Sequence, residues 1–335
     1  MCFLSCPLRG LIRLLALASL VVCSEQSLGQ AWVPPKGEGE YSMVFQDLYT
    51  TKHTLGDGSR IDAGHVSLLG LVNSVDFGVT DKFAVTFAVP AGLGKYDGKT
   101  PHLLPIDDGN YHGSLQDMGI ALRYNLVARP MVLTPFVLAT FPMVNYQHFA
   151  HSAVGADAWE VRMGFSVGHH FETHLPNAYF QVMYSYSIAQ EFMGIRPNRN
   201  RFNGEFGYFL GRRVAVRALA LSQVMTMGLD IPKDYPVRTP DNPLWRQHDR
   251  ISQVDFFTIG GGVSYSLTRR FDVFGSLLTM PWGTNGHALK TGLALGISWS
   301  FRTPWARPEM AMQAAPPVDS WQPQINQPPQ MQCAH

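Results

Sequence analysis

The stretch 292–301, Gly-Leu-Ala-Leu-Gly-Ile-Ser-Trp-Ser-Phe, limits this chain more than any other feature. Leu293, Leu295, Ile297, Trp299 and Phe301 alternate strictly with Gly292, Ala294, Gly296, Ser298 and Ser300. An extended strand therefore carries everything large and apolar on one face and everything tiny on the other. A half-buried strand in water would place long polar or charged groups on its solvent face. Here the larger face is the greasy one and ends on an aromatic, as in barrel strands whose outside meets lipid. Such a barrel needs more strands of this kind, joined alternately by short turns and long loops.

The remainder of the chain meets that demand. Segments at 40–53, 62–79, 82–90, 115–126, 131–144, 158–171, 178–190, 202–210, 214–228, 251–267 and 271–280 precede the final one. Together they predict an all-β fold, a transmembrane up-and-down antiparallel β-barrel of about 12 strands. In 82–90, for example, Phe83, Val85, Phe87 and Val89 oppose Ala84, Thr86 and Ala88. Pro135 and Pro142 weaken the reading of 131–144, because proline cannot donate to a ladder. The facing of 214–228 stays open, since large apolar residues lie on both sides of Arg217. Long links follow odd strands and short links follow even ones, with modest lengths near 195 and at 281–287. That alternation puts both chain ends on the periplasmic side of an outer membrane. A secreted β-sandwich or calyx is the competing fold, but nothing in sandwich architecture demands such regularity.

Composition agrees. Charged residues make up 15% of the chain, below the roughly 25% of soluble domains. Beyond the N-terminus there is no run of about 18 apolar residues, which argues against membrane helices. A net charge of +1, with no basic patch interleaved with aromatics, gives no case for nucleic acid.

Residues 1–31 read as a secretory signal: Arg9 and Arg13 precede the apolar run 14–22, and Ser27, Gly29 and Ala31 are small enough for cleavage. Cys23 raises lipid attachment as an alternative, against which Val22 stands where a small residue is wanted. Removal of the signal takes Cys2, Cys6 and Cys23 and leaves Cys333 alone, which excludes a disulfide framework. Residues 32–39 are a lead-in, 40–301 the barrel, and 302–335 a Pro/Gln-rich tail expected to be disordered in the periplasm. Because that tail follows Phe301, the aromatic is not the terminal residue that the barrel-assembly machinery, an expected partner, would read.

The segment 73–90, Asn-Ser-Val-Asp-Phe-Gly-Val-Thr-Asp-Lys-Phe-Ala-Val-Thr-Phe-Ala-Val-Pro, resembles the repeated phrase of the outer-membrane family named for the MetA pathway of phenol degradation. There, a Gly-Val/Leu-Thr-Asp turn precedes a strand ending in Val-Pro or Leu-Pro. The segments 115–124, 260–271 and 293–301 resemble that family's next strand and its close. The resemblance spans roughly 62 to 301 and implies a transport-type barrel handling aromatic compounds. It carries over no functional residue.

Charges confined to one face of their strands predict a lumen lined by Asp117, Arg123, Glu160, Arg162, Glu205 and Asp255. These form either a water-filled eyelet that sets selectivity or an ion-pair network that plugs and stabilises a narrow barrel. His148 and His151 stand beside Ser152 in one loop, and His169, His170 and His174 at one strand end. A barrel-borne lipase would need serine, histidine and an orienting group held together. No motif does so, and these histidines read as surface groups. Metal binding lacks cysteine partners. Asp107 and Asp108 read as a solvated pair or an outer cation site. Gly92-Leu-Gly-Lys95 lacks the spacing of a phosphate loop. The expected function is passive uptake or binding of small molecules without enzyme activity or cofactor, with membrane lipid and solutes as partners. A lipase-like hydrolase and a closed structural or adhesion barrel are the alternatives.

Overall fold

The computed structural model describes residues 31–62, 64–98, 106–171, 175–231, 233–235 and 239–306. The expected signal up to residue 30, nearly all of the expected tail, and His174 lie outside the described residues.

Twelve long strands follow one another: β1 (Glu38–Thr54), β2 (His65–Gly78), β3 (Phe83–Asp97), β4 (Asp117–Tyr124), β5 (Val132–Pro142), β6 (Glu160–His170), β7 (Ala178–Ala189), β8 (Arg199–Phe209), β9 (Val214–Met225), β10 (Asp255–Ser266), β11 (Phe271–Thr284) and β12 (His287–Arg302). Each pairs antiparallel with its neighbours in sequence. β12 returns to β1 in a ladder running from Glu38↔Arg302 to His53↔His287, which closes the barrel. At the seam's end Arg302 bridges Glu38 at 2.7 Å. Closure is what a hydrocarbon surrounding requires, because an open edge there leaves backbone groups with no partner. Two short strands, Arg60–Ile61 and His112–Leu115, extend the rim against β1 and β3.

The described residues of the connections 79–82, 125–131, 171–177, 210–213 and 267–270 all lie at the end where β1 begins and β12 stops. The described residues of the longer links, within 55–64, 98–116, 143–159, 190–198 and 226–254, lie at the opposite end. The alternation of short and long links is therefore present, except that the last long-side link is only Asn285 and Gly286. Residues 281–284, read from sequence as connector, belong to β11, where the ladder to β10 slips between Phe257 and Ile259 and absorbs an extra residue. Asn285 takes the positive φ of 52° that a tight turn demands.

The prolines sit where the ladders are interrupted. Pro135 faces Phe165 of β6, but the β4 ladder stops at Arg123↔Phe136, so nothing on that side needs its missing donor. Pro90 stands where β3 changes partner from β4 to the short strand His112–Leu115, and its carbonyl accepts from Gln116 N at 3.0 Å.

Side-chain polarity is the reverse of a water-soluble barrel. Ser74, Thr86, Thr134, Ser166, Ser185, Thr258 and Ser298 point inward and are buried. Phe45, Phe87, Leu122, Val182, Phe206, Val263 and Leu295 point outward and are exposed. Trp299 marks this outer face near the short-turn end, and Trp159 and Trp282 mark it near the long-loop end. An apolar band with aromatics at both margins fits a lipid slab between two aqueous phases. The facing of β9 is settled too: Ala215, Leu219, Leu221 and Gln223 are buried on the face that carries Arg217.

Candidate functional site

Both ends of the lumen are narrowed by the chain itself. At the short-turn end, residues before β1 cross the mouth and seat Trp32 against Val132, Tyr179 and Phe209. Its ring also lies 4.7 Å from that of His170. These partners belong to β5–β8, across the barrel from β1. Thr134 Oγ1 donates to Ala31 O at 2.5 Å, and Arg123 Nη1 donates to Trp32 O at 3.0 Å. Gly168 makes room for the segment: a Cβ there would stand 2.7 Å from Ala31 Cβ and 2.8 Å from the Trp32 ring.

At the other end, long segments fold inward and hold one another. Asp107 is buried and accepts from Ser152 N at 3.0 Å, Ser152 Oγ at 2.8 Å and His151 N at 3.2 Å. The expected solvated pair is thus divided: Asp107 staples 106–116 to 143–159, while exposed Asp108 contacts His112 at 2.9 Å. Two short helices, α1 (Pro243–Arg246) and α2 (His248–Ile251), occupy the segment expected to be plain loop, with Asn242 capping the first. From α2, Arg250 reaches Ala156 O at 2.6 Å, Asp157 O at 2.8 Å and Asp157 Oδ2 at 3.0 Å.

His151 and Ser152 are buried rather than on the surface, because 143–159 turns inward. His151 stacks on His53 at 4.6 Å, and both approach His287, at 5.3 and 4.2 Å respectively. Tyr96 closes the group from β3. The Ser152 hydroxyl is directed at Ile106 O and Asp107, an arrangement that ties loops together rather than one in which histidine takes the serine proton. Among the described residues, no group of three or more His, Cys, Asp or Glu is placed to hold a metal ion. His148, on the same segment, is pushed down to about 4, first by burial and then by the Arg250 charge, and is neutral at pH 7. Burial, reinforced by the adjoining Asp117 carboxylate, raises the Tyr146 phenol far above its ordinary value.

The six residues expected in the lumen fall into two layers and one exception. Toward the short-turn end, Arg123 is fully buried against Asp76, and Glu205 accepts from Tyr179 with Arg217 3.7 Å away. Toward the long-loop end, Asp117 Oδ1 accepts from Tyr146 at 2.7 Å. Nearby, Glu160 binds Arg162 at 3.0 Å, Arg201 at 2.9 Å and Arg199 at 2.7 Å. Asp255 is the exception. It alternates out of phase with buried Phe256 and Thr258, and its carboxylate accepts from Met225 N at the rim. Arg199 and Arg201, placed by sequence in or beside a loop, open β8 and point inward with Glu205. The signal was available, since Arg199, Arg201, Asn203 and Glu205 fall at every second position.

Between the two narrowed ends lies a cavity of about 140 Å³. It is lined by the charged Glu160, Arg162, Arg199, Arg201 and Asp117, by Gln46 and Gln116, and by the apolar Leu48, Leu68, Val72, Pro90 and Leu138. Residues 146 and 154–156 of the inward loop roof it.

No protein-family model matches the chain, and no curated protein matches it in sequence. Solved structures do match its shape. An outer-membrane channel from Pseudomonas putida F1 superposes with a TM-score of 0.63 at 12% identity, over 82% of this chain and 98% of that one. The fold is that of this channel. The NanC porin gives a TM-score of 0.44 at 10% identity, over 78% of this chain and all of that one.

Proposed function

We propose that the chain is an outer-membrane barrel that binds small molecules, aromatic ones among them, in its lumen and lets them pass without energy coupling or cofactor. The observation that carries this is the pairing of an apolar, aromatic-edged exterior with a lumenal cavity lined by both charged and aliphatic groups. The fold shared with the outer-membrane channel from Pseudomonas putida F1 supports the location and the transport role, and the sequence resemblance to the phenol-degradation barrels supports aromatic solutes. On this reading both termini are periplasmic, cleavage falls near residue 31, and Trp32 closes the periplasmic mouth. The inward-facing Asp117, Arg123, Glu160, Arg162 and Glu205 line the route; Asp255 helps to hold its rim.

The test is to refold residues 32–335 in detergent, reconstitute them, and record bilayer conductance and liposome entry of small aromatic solutes. The expected result is small stepwise currents reduced by those solutes, with faster solute entry than in empty liposomes. A folded, heat-modifiable barrel that neither conducts, binds nor admits them overturns the reading in favour of a structural role.

A further inference from the structure

We propose that the short-turn rim of the barrel binds anionic phospholipids, with a ring of Lys and Arg side chains meeting the headgroup phosphates of one leaflet. This goes beyond the solute-binding role and does not depend on it. It rests on the proposed membrane location alone.

Four of the five short connections repeat one arrangement. The last outward-facing residue of the incoming strand is large, apolar and exposed, and a basic residue follows three positions later: Val79 and Lys82, Leu126 and Arg129, Leu210 and Arg213, Leu267 and Arg270. All four basic residues are exposed. The returning strand then opens on another outward apolar residue. Phe83 and Phe271, for example, stand opposite Tyr124 and Trp299 on the outer face. Each cation is therefore set between two residues that mark the edge of the apolar band. A Lys or Arg at that level lays its aliphatic stem along the hydrocarbon margin and carries its charge out to the headgroups. The fifth connection, 171–177, has Glu172 and His174 instead.

The charge is also one-sided. The five short connections hold six Lys and Arg, since Arg212 and Arg269 join the four above, against two acids, Asp81 and Glu172. The long links hold seven Lys and Arg against ten Asp and Glu. A chain with a net charge of only +1 thus concentrates positive charge at one membrane face. A rim that served solubility alone would take either sign and would need no apolar neighbours. Five of the six rim cations are Arg, whose planar fork of donors pairs with a phosphate through two N–H groups at once. Lipid phosphate meets both halves of the arrangement, because its acyl chains cover the flanking apolar residues while its charge answers the guanidinium. On the orientation proposed above, this is the periplasmic leaflet.

The test is to refold the barrel into vesicles of equal phosphatidylglycerol and phosphatidylcholine, extract it in mild detergent at low salt, and measure the lipid retained. Phosphatidylglycerol should be enriched about fivefold over phosphatidylcholine, the order expected for one basic group beside one anionic headgroup. In about 1 M salt, where charges are screened within about 3 Å, the enrichment should vanish. The triple variant Lys82→Gln, Arg213→Gln and Arg270→Gln, checked for folding by heat-modified gel mobility, should lose most of it. A triple variant of the long loops, Arg196→Gln, Lys233→Gln and Arg246→Gln, should keep it. Equal retention of the two lipids by the unaltered barrel overturns the proposal. So does a folded rim variant with undiminished enrichment, or a loss confined to the loop variant, which would move the lipid contact to the other end. A barrel that enters vesicles of neither lipid overturns the membrane location, and the rim proposal falls with it.

Discussion

Arg123 shows how the lumen trades solvent for partners. Its guanidinium is fully buried, donates to Asp76 and Trp32 O, and touches both the wall and the crossing segment. Asp76 in turn accepts from Thr86 Oγ1 at 2.8 Å. Removing one member of such a pair leaves the other charge buried, which costs about 3–5 kcal/mol, whereas replacing both by apolar groups is often near neutral. Arg123→Met should therefore lower barrel stability by about 3 kcal/mol, read from the urea midpoint in lipid vesicles. The double variant Arg123→Met with Asp76→Leu should recover most of that loss. If the single variant unfolds at the unaltered midpoint, the pair is not holding the mouth.

At the scale of an element, the crossing segment is a plug of limited reach. The six steps of chain from Trp32 to Glu38 span at most about 20 Å when extended, which limits how far the segment can reach from β1. Its hold depends on the Trp32 side chain among Val132, Tyr179 and Phe209, because the ties given by Thr134, Arg123 and Gln181 all go to backbone groups of Ala31 and Trp32. Trp32→Ala should free the mouth and raise single-channel conductance, with β1 still paired and gel mobility unchanged. Equal conductance would place the narrowest point elsewhere, under the inward loops. The strands were legible in sequence because a lipid exterior forces period-two alternation, locally and everywhere. The loops were not. Gly92 and Gly94 looked like the start of a loop, yet they continue β3 to Asp97, and Gly94 is bare on its inner side because Ser152 O packs there. Arg199 and Arg201 looked like loop charge because they follow Arg196 and Pro197 in a polar stretch, which masked the alternation that runs on to Glu205. The meeting of His53, His151 and His287 depends on barrel closure and on an inward loop, and neither is written in local alternation.

For the whole molecule, the strongest claim is the seam between the first and last barrel strands. Every other ladder joins neighbours in sequence, so a partly open sheet would keep them all; β1 with β12 alone makes the barrel. The register there is specific: Ser42 faces Ser298, and both are buried on the lumenal side. A slip of one residue would turn the lumenal set of a strand toward lipid, so one side chain either meets its partner or stands on the opposite face. Cysteines at Ser42 and Ser298, with Cys333→Ser, should cross-link in the folded barrel, because directly opposed residues of an antiparallel pair lie within disulfide reach. The product joins the two ends of the barrel into a ring and should run anomalously after boiling without reductant. Cysteines at Met43 and Ser298, which face opposite ways, should not cross-link. The reverse result, or no link in either, would mean that β1 and β12 do not meet in this register. The lumen would then open sideways into the bilayer, and the cavity would lose the enclosure on which the solute-binding role depends.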